Sequence, residues 1–318
     1  MRFLVVMDAP ACIHPTTDTT LVVIEEALAR GHTVDICVPE RLELDGGEPV
    51  AEVESVTHAG RTLVPCMHLA PGQKRPLAAY QAVLMRKDPP FDLDYYFATL
   101  ILERARGKTL LVNDPRGLRD ANEKLYIFHF PELIAPTRVT RSIAGLRRFL
   151  DEHGGQMVVK PLDGCGGAGV FHVRADDRNT NVILETVTDF GKKLVMVQSY
   201  LPEAREGDKR ILLLDGEPIG AVLRVPREDD TRGNLHAGGT AIKATLTERD
   251  HEICARVGKK CREDGLYLVG LDVIGGRLTE VNVTSPTGVQ EVDRLDGTRL
   301  ETRIVAWLEE RGAIYSRP

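Results

Sequence analysis

Aromatic residues and surplus positive charge are both scarce in this 318-residue chain. It has 1 Trp, and Phe, Trp and Tyr together make up 5% of its residues. Its 41 lysines and arginines stand against 47 aspartates and glutamates, for a formal net charge of −6. This balance excludes a nucleic-acid-binding protein that relies on overall positive charge, but it leaves room for a local basic site for phosphates. We therefore expect no nucleic-acid partner.

Paired cysteines and long apolar runs are lacking as well. The six cysteines are scattered without a C-x-x-C pair, so neither a zinc site nor a redox dithiol is expected. No run approaches the roughly 18 apolar residues that span a membrane. The apolar amino terminus is one strand long and has no features of a signal peptide. We expect reduced thiols, a cytoplasmic location and no membrane partner.

The beginning of the chain has the pattern of an α/β domain. At 318 residues the chain is too long for one small core, so two or three domains are expected. Residues 3–7, 21–31 and 34–38 read as strand, helix and strand, which is typical of parallel pairing. The linker after the first strand lies where open α/β sheets bind ligands. It lacks a dinucleotide-binding glycine fingerprint, and this domain closes near residue 120.

A glycine-rich loop at residues 164–169 lies between two predicted strands. It matches G-x-G-x-x-G, but the dinucleotide-binding version opens a helix, whereas an apolar strand follows here. It has no Gly-Lys-Ser/Thr, and the chain has no H-R-D that would indicate a protein kinase. Such a turn between antiparallel strands can cover nucleotide phosphates with its backbone N–H groups. A flexible hairpin tip is the alternative, but it would not explain the glycines beside Lys160, which is placed to reach a phosphate.

Residues 268–288 are predicted to form a hairpin around Gly275 and Gly276, followed by a small polar loop. Glu280 and Asn282 share a face by spacing alone. Asp272 joins them only if the turn has three residues, because a two-residue turn would send it to the other face. Three oxygen-bearing side chains on one face suit a hard divalent cation such as Mg²⁺. The alternative is the solvated face of an edge hairpin, but the flanking strands are too apolar for that.

Other stretches carry charge in positions that suit an anionic substrate. Residues 86–90 follow a predicted strand and contain two cations and two prolines. An anionic-substrate site and a solvent-exposed loop are equally good interpretations of this stretch.

Arg210 and Arg224 flank a predicted hairpin and are placed to face phosphates. Residues 232–239 join polar residues to glycines and are predicted to form a lid that excludes water, with an ordinary surface loop as the alternative. Residues 194–201 read as a buried strand whose end has the composition of an adenine hinge.

These pieces, in this order, resemble the ATP-grasp superfamily and more closely the bacterial-type glutathione synthetase family. The resemblance covers most of the chain and thins between residues 40 and 80. It rests on MRKDPPFD (85–92), LRDANEKL (118–125), VVKPLDGCGGAGVF (158–171), EGDKRILLLDGEP (206–218), TRGNLHAGG (231–239) and GLDVIGGRLTEVNVTSPTG (270–288).

The resemblance implies an α/β and α+β fold, in which an N-terminal α/β domain precedes a two-lobed ATP-grasp fold with antiparallel sheets. The implied parts are a substrate-binding domain (1–120), a central lobe with the glycine-rich loop (121–200) and a C-terminal lobe with the lid and the metal hairpin (201–318). The implied reaction is the ATP-dependent joining of γ-glutamylcysteine and glycine through an acyl phosphate, with release of ADP and phosphate. Two Mg²⁺ ions, or Mn²⁺ in their place, and a homo-oligomeric state are expected.

The resemblance also implies roles for individual residues. The implied ATP-binding residues are Lys124, Lys160, Gly164, Gly166, Gly167, Gln198, Ser199, Tyr200, Leu201 and Asp208. The implied catalytic residues are Arg210, Arg224, Arg232 and Asn234. The implied substrate-binding residues are Arg86, Lys87, Asp88, Ser285, Pro286, Thr287 and Gly288. The implied metal ligands are Asp272, Glu280 and Asn282.

The chain departs from the family pattern in the predicted lid. Residues 228–230 are Glu-Asp-Asp where the family often has Gly-Gly-Glu, and Thr240 stands where a basic residue is sometimes found. One alternative function is another ATP-grasp carboxylate–amine ligase, of the D-alanine or glutamate ligase type. Another is a catalytically silent ATP-binding regulatory protein. A silent protein would be expected to lose a metal ligand or the phosphate-facing arginine, and neither is lost.

Overall fold

The computed structural model describes residues 1–227 and 238–315. The predicted lid residues Arg232 and Asn234 lie outside the described residues. No described helix is both long and apolar enough to cross a membrane.

The N-terminal sheet confirms the predicted α/β opening. The parallel strands are ordered β2-β1-β6-β7, and β3, β4 and β5 extend the sheet antiparallel beyond β2. This extension occupies residues 42–76, to which the sequence pattern assigned no structure. The strands are β1 (Arg2–Val6), β2 (Thr33–Cys37), β3 (Leu42–Asp45), β4 (Glu48–Ala59), β5 (Met67–Pro76), β6 (Ala82–Met85) and β7 (Leu110–Val112). The helices of this part are α1 (Thr19–Ala29), α2 (Leu93–Glu103) and α3 (Pro115–Asp120).

The order of the parallel strands creates a switch point at the carboxyl ends of β1 and β6. The chain crosses from β1 through α1 to β2 on one side, and it returns later to place β6 on the other side. The two crossovers therefore diverge at this edge and leave a crevice there, which is the usual ligand position in such sheets. Asp18 caps α1 at this edge, because its Oδ1 accepts a hydrogen bond from the Leu21 N–H at 2.8 Å.

The second sheet has the order β10-β9-β11-β8 and places the glycine-rich loop between two antiparallel strands, as predicted. Its apolar face packs beneath two helices, with Leu146, Phe149 and Val159 in the core. Its strands are β8 (Thr137–Thr140), β9 (Gln156–Pro161), β10 (Phe171–Arg174) and β11 (Val195–Ser199), and its helices are α4 (Ile143–Glu152) and α5 (Thr180–Val187).

The third sheet has the order β14-β13-β12-β15-β16. The charged residues 203–210 predict a turn, but the turn is shorter in the structure, because β12 begins at Asp208 and takes Arg210 into the centre of the sheet. Its strands are β12 (Asp208–Leu214), β13 (Glu217–Val225), β14 (Thr240–Lys243), β15 (Leu268–Ile274) and β16 (Arg277–Asn282). Its helices are α6 (Glu248–Glu263), α7 (Val289–Asp296) and α8 (Leu300–Gly312).

The turn between β15 and β16 differs from the prediction. Ile274 pairs with Arg277, so the turn has two residues, both glycines with positive φ. A β-bulge then shifts the register, and Thr279 is the extra residue. Its hydroxyl donates to the Asp272 carbonyl at 3.1 Å. The bulge turns the side chain of Asp272 to the same face as Glu280 and Asn282, as a three-residue turn would have done. Asp272 lies directly opposite Glu280.

A second prediction also needs correction. Residues 120–128 predict a helix that carries Lys124, Leu125 and Phe128, with Asp120 or Asn122 as its cap, but the structure has only a short 3₁₀ turn over Leu125–His129. Asn122 precedes it, and its Oδ1 accepts hydrogen bonds from the backbone N–H groups of Lys124 and Leu125 at 3.1 and 3.0 Å. Asn122 therefore fixes a tight turn, and Lys124 lies just before the 3₁₀ helix.

Asn113 joins the N-terminal sheet to the hairpin of β15 and β16. Its Nδ2 donates to the carbonyls of Leu268 and Val283 at 2.9 and 2.7 Å. Its Oδ1 accepts from the N–H groups of Tyr267 and Leu268 at 2.7 and 2.9 Å. Because the side chain is buried, water cannot replace these bonds, and the amide fixes one domain against the other.

We predict that Asn113→Asp lowers the free energy of unfolding by about 3–5 kcal/mol, because it places a buried carboxylate oxygen against two carbonyl oxygens. Asn181→Asp is the matched control, since Asn181 is exposed and its change should stay within about 0.5 kcal/mol. Denaturant unfolding of both variants measures the difference. Equal and small effects would contradict the role assigned to Asn113.

Candidate active site

A cleft of about 1050 Å³ lies between the second and third sheets. All ten residues that the resemblance assigned to ATP line this cleft. They are Lys124, Lys160, Gly164, Gly166, Gly167, Gln198, Ser199, Tyr200, Leu201 and Asp208. Asp272 and Glu280 also face it. The fold thus collects in one place residues that are up to 156 positions apart (280 − 124) in the sequence.

The end of β11 forms one wall of the cleft. Gln198 is in the strand, and its side-chain amide donates to Thr137 Oγ1 at 3.1 Å. Tyr200 lies just past the strand and stacks on His172, with ring centroids 3.9 Å apart and planes 10° from parallel. His172 was not predicted as a site residue. His172 lies on the strand that leaves the glycine-rich loop, directly opposite Val158, which also lines the cleft. Its position on that strand is the signal that could have identified it.

Two lysines place positive charge beneath the glycine-rich loop. Lys124 Nζ lies 3.0 Å from Glu280 Oε1 and also donates to the Gly164 carbonyl. Burial lowers the pKa of Lys160, while the negative charge of Glu280 opposes this effect. A desolvated ammonium of this kind gains from an anionic ligand, because the ligand restores the counter-charge that water would have supplied.

Asp272 is the centre of an ion-pair cluster on the third sheet. Arg210 donates to it from Nε at 2.5 Å and from Nη2 at 3.0 Å, and Arg224 Nη2 lies 3.0 Å away. Asn282 Nδ2 adds a bond at 3.2 Å. Burial favours the protonated carboxyl, but the two arginines outweigh burial and hold the pKa of Asp272 well below its usual range.

Asp208 completes this cluster and has an unused oxygen. It pairs with Arg224, while burial raises the pKa of Asp208 to about 6. Its Oδ1 is buried and has no hydrogen-bond partner within residues 1–227 and 238–315. An orphaned carboxylate oxygen at the wall of a cleft is suited to receiving a ligand hydroxyl or cation.

The predicted metal ligands fit a hard cation by their chemistry. The register places Asp272 opposite Glu280 and Gly270 opposite Asn282. The three oxygen-bearing side chains of Asp272, Glu280 and Asn282 therefore lie on one face of the hairpin. Within the described ranges no group of three or more His, Cys, Asp or Glu side chains has the arrangement of a metal site. The predicted set has two carboxylates and one amide, and both carboxylates pair with cations in the structure. A divalent ion bound there would therefore replace Lys124 and the arginines as the positive partner of the two carboxylates.

A second cavity, of about 1370 Å³, adjoins the cleft at Cys165, Gly166 and Glu280. Arg210, Arg224 and Asn282 line one side of it. The predicted substrate residues that line it are Asp88, Ser285, Pro286, Thr287 and Gly288.

Two predicted substrate residues lie behind the wall of this second cavity. Arg86 is only 5% exposed, and it donates to Thr20 Oγ1 at 3.0 Å and to the Pro286 carbonyl at 3.1 Å. Lys87 Nζ pairs with Asp8 at 2.9 Å. Arg86 therefore supports the loop of residues 285–288 from beneath, and Lys87 holds the strand exit in place.

Glu123 is a functional candidate that the sequence did not reveal. Its Oε1 accepts hydrogen bonds from the N–H groups of Val283 and Thr284 at 2.9 and 3.1 Å, and from the Thr284 hydroxyl at 2.9 Å. It also lines the second cavity. Burial raises the pKa of Glu123, and the nearby charge of Glu280 raises it further. Its partners lie 160 positions away, so no local pattern could indicate the contact.

Known proteins resemble this chain over its full length. Residues 1–119 match the N-terminal domain of prokaryotic glutathione synthetase, and residues 123–297 match its ATP-grasp domain. A glutathione synthetase of Gloeobacter violaceus is 48% identical over 100% of this chain and 98% of that protein. One from Synechocystis is 45% identical over 98% of this chain and 100% of that protein.

Solved structures show the same fold at low sequence identity. The crystal structure of the D-cycloserine synthetase DcsG covers 97% of this chain and 100% of its own, with a TM-score of 0.66 and 18% identity. The ATP-grasp ligase PsnB, complexed with a minimal precursor, Mg and ADP, covers 98% of each chain with a TM-score of 0.63 and 15% identity. The predicted fold, an N-terminal α/β domain followed by an ATP-grasp fold, is confirmed. The chain belongs to the prokaryotic glutathione synthetase family, and its activity is ATP-dependent glutathione synthesis by an ATP-grasp carboxylate–amine ligase.

Proposed function

We propose that the cleft and the adjoining cavity together join γ-glutamylcysteine to glycine through an acyl phosphate, releasing ADP and phosphate. The convergence of all ten expected ATP residues on one cleft, which opens at Glu280 into a second cavity, carries this proposal. Nucleotide and peptide would meet at that opening. A carboxylate is a poor acyl donor until it is phosphorylated, so this contact is what the reaction requires.

ATP would lie along the cleft with its base against Tyr200 and Leu201. Its phosphates would face the N–H groups of the glycine-rich loop, Lys124 and Lys160. The lowered pKa of Lys160 through burial supports this placement, because a polyanion would restore the missing counter-charge. Asp208, with its unused oxygen, is suited to a ribose hydroxyl.

Arg210 and Arg224 would stabilise the phosphoryl group during its transfer. Phosphoryl transfer depends mainly on positioning and on neutralising charge at the phosphate oxygens. Both guanidinium groups face the second cavity beside Asn282. Arg210 also donates to the Thr287 carbonyl at 3.3 Å, so it connects the reacting carboxylate to the loop of residues 285–288 that would place the substrates.

Asp272, Glu280 and Asn282 would hold the divalent cation that this family uses with ATP. We propose two Mg²⁺ ions, with Mn²⁺ as an alternative. A bound ion would withdraw charge from the phosphate oxygens. The proposed lid, with Arg232 and Asn234, would protect the acyl phosphate from water until the amine attacks.

We assign the three parts of the chain as residues 1–120, 121–200 and 201–318. The boundaries agree with the sheets, since the first ends in β7, the second spans β8 to β11 and the third begins with β12. We place the enzyme in the cytoplasm, because the reaction needs ATP and a reduced thiol substrate and the six cysteines of the chain are free.

An exposed apolar face on α2 supports the expected homo-oligomer. Leu93, Tyr96, Phe97 and Leu100 recur at helical spacing and are 70%, 39%, 52% and 37% exposed. One continuous apolar stripe on a surface helix is typical of a protein–protein interface. A second copy of this chain is the partner we propose.

ADP release with γ-glutamylcysteine, in the presence and absence of glycine, tests the proposal. Glycine-dependent release supports it, whereas release that needs a different amino acid would overturn the proposed acceptor. ATP binding without any release would contradict the proposed reaction.

Glu280→Ala should lower the rate of ADP release by about 10²–10³-fold, because it removes an oxygen ligand that would neutralise phosphate charge. The matched control is Glu248→Ala at an exposed position of α6, which should keep the wild-type rate. Both variants are assayed across a Mg²⁺ titration. A near-normal rate with Glu280→Ala would remove the metal proposal.

Replacing Glu123 by Ala should raise the KM values for glycine and the peptide by about tenfold or more, because several hydrogen bonds to a charged acceptor hold the loop after β16. Glu123→Gln should restore part of the loss, since its amide oxygen still accepts. The KM for ATP serves as the internal control. If the KM for ATP rises in both variants as much as the KM values for glycine and the peptide, Glu123 acts on the overall fold and not on the loop.

Phe97→Asp should dissociate the oligomer, because it places a charge in the middle of the α2 stripe. Light scattering after size-exclusion chromatography measures the mass of the particle. Asp94→Asn, on the same helix but outside the stripe, is the control and should keep the wild-type mass. A wild-type mass for Phe97→Asp would place the interface elsewhere.

A further inference from the structure

Arg210 and Arg224 lie on the wall of the second cavity that the third sheet forms, and Asp18 and Asp88 lie on the wall that the N-terminal domain forms. The two arginines are paired with Asp272 and Asp208, and Glu123 and Glu280 also line the cavity, so the guanidinium groups are the positive groups available to an anion there. Neither Asp18 nor Asp88 belongs to the metal hairpin or the nucleotide cleft. The cavity is therefore suited to a ligand with an anionic end and a cationic end.

The topology of the N-terminal sheet indicates a ligand at the same place. Asp18 follows β1 and Asp88 follows β6, and these neighbouring strands flank the switch point of the sheet. Open α/β sheets bind ligands at the carboxyl ends of such strands. The order of the strands alone places a ligand site here, whatever the charges of the side chains.

Both aspartates have acceptor capacity that faces the cavity. Asp18 uses Oδ1 to cap α1, which leaves Oδ2 for another donor. Asp88 is exposed, and its neighbour Lys87 pairs with Asp8 instead. Burial raises the pKa of Asp18, and the charge of Asp88 adds to the rise. Arg86 offsets one of the two negative charges from behind the wall, so the wall retains a net negative charge that a bound cation would balance.

The chemistry of γ-glutamylcysteine fits this arrangement. Its reacting carboxylate must lie near Arg210 and the nucleotide cleft. Its α-ammonium group is about seven covalent bonds away, or ~9 Å in an extended chain. An α-linked dipeptide would carry its ammonium group about two bonds closer. The substrate would therefore cross the cavity, and a γ-linkage would bring the ammonium to the far wall.

We propose that Asp18 and Asp88 form the subsite for the α-ammonium group of the γ-glutamyl residue, and that this contact selects γ-linked substrates. The inference rests on the proposed function. Both residues act in substrate recognition and do not touch the reacting atoms.

The test compares γ-glutamylcysteine with N-glutarylcysteine, which lacks only the α-amino group. The wild-type kcat/KM should favour γ-glutamylcysteine by at least about 30-fold, as expected for charge-assisted hydrogen bonds. Asp18→Asn and Asp88→Asn should each lower kcat/KM for γ-glutamylcysteine by about tenfold and leave that for N-glutarylcysteine unchanged. Asparagine caps helices as well as aspartate does, so Asp18→Asn preserves the start of α1. Asp94→Asn, which lies outside the cavity, is the matched control and should change neither value.

Equal losses with both substrates would show a structural role and overturn the proposal, as would a wild-type enzyme that does not distinguish the two. Calorimetric binding of γ-glutamylcysteine, with a non-hydrolysable ATP analogue present, separates this proposal from the proposed function. If the two variants bind γ-glutamylcysteine more weakly but the enzyme does not use glycine, the subsite is supported and the proposed acceptor is overturned. Absence of binding to the wild type would overturn both.

Discussion

The buried carboxylate of Asp272 is the group on which the arrangement of the site depends. It lies directly across the sheet from Arg210 on β12 and from Glu280 on β16, so backbone pairing sets the positions of all three charges. Removing one partner of a buried ion pair typically costs about 3–5 kcal/mol, because the remaining charge is left uncompensated. The register of the sheet is thus both a structural and an electrostatic constraint.

The same charges prepare the cleft for a polyanion. Two cations near the nucleotide site have carboxylate partners in the structure, Glu280 for Lys124 and Asp208 for Arg224. A nucleotide with its metal ion brings anions for the cations and a cation for the carboxylates. Binding would therefore exchange one set of ion pairs for another, and no charge would remain uncompensated in the buried site.

Local patterns predicted the parts of this site that depend on neighbouring residues. The glycine-rich loop between two strands and the shared face of Glu280 and Asn282 follow from spacing along one segment. The role of Thr279 did not follow, because a bulge and a longer turn have the same effect on side-chain direction. Only the register shift distinguishes them. The structure also corrected the length of the charged turn before Arg210.

Contacts between distant segments were beyond local patterns. Glu123 has an unremarkable place in the sequence, and its importance comes from partners on the loop after β16. Arg86 was identified as a charged residue at a strand exit, but its burial behind Pro286 depends on how two domains pack. Tertiary packing, and not residue type, determines the roles of such residues.

Glu123 and Lys124 are consecutive in the chain, yet they serve different cavities. Glu123 fixes the loop that would place the substrates, and Lys124 contacts Glu280 and the glycine-rich loop above the nucleotide cleft. One peptide bond therefore keeps the two cavities in alignment. Such a junction has no tolerance for insertions or deletions. Natural length variation in this family should be concentrated elsewhere, for example in the strands and turns of residues 42–76.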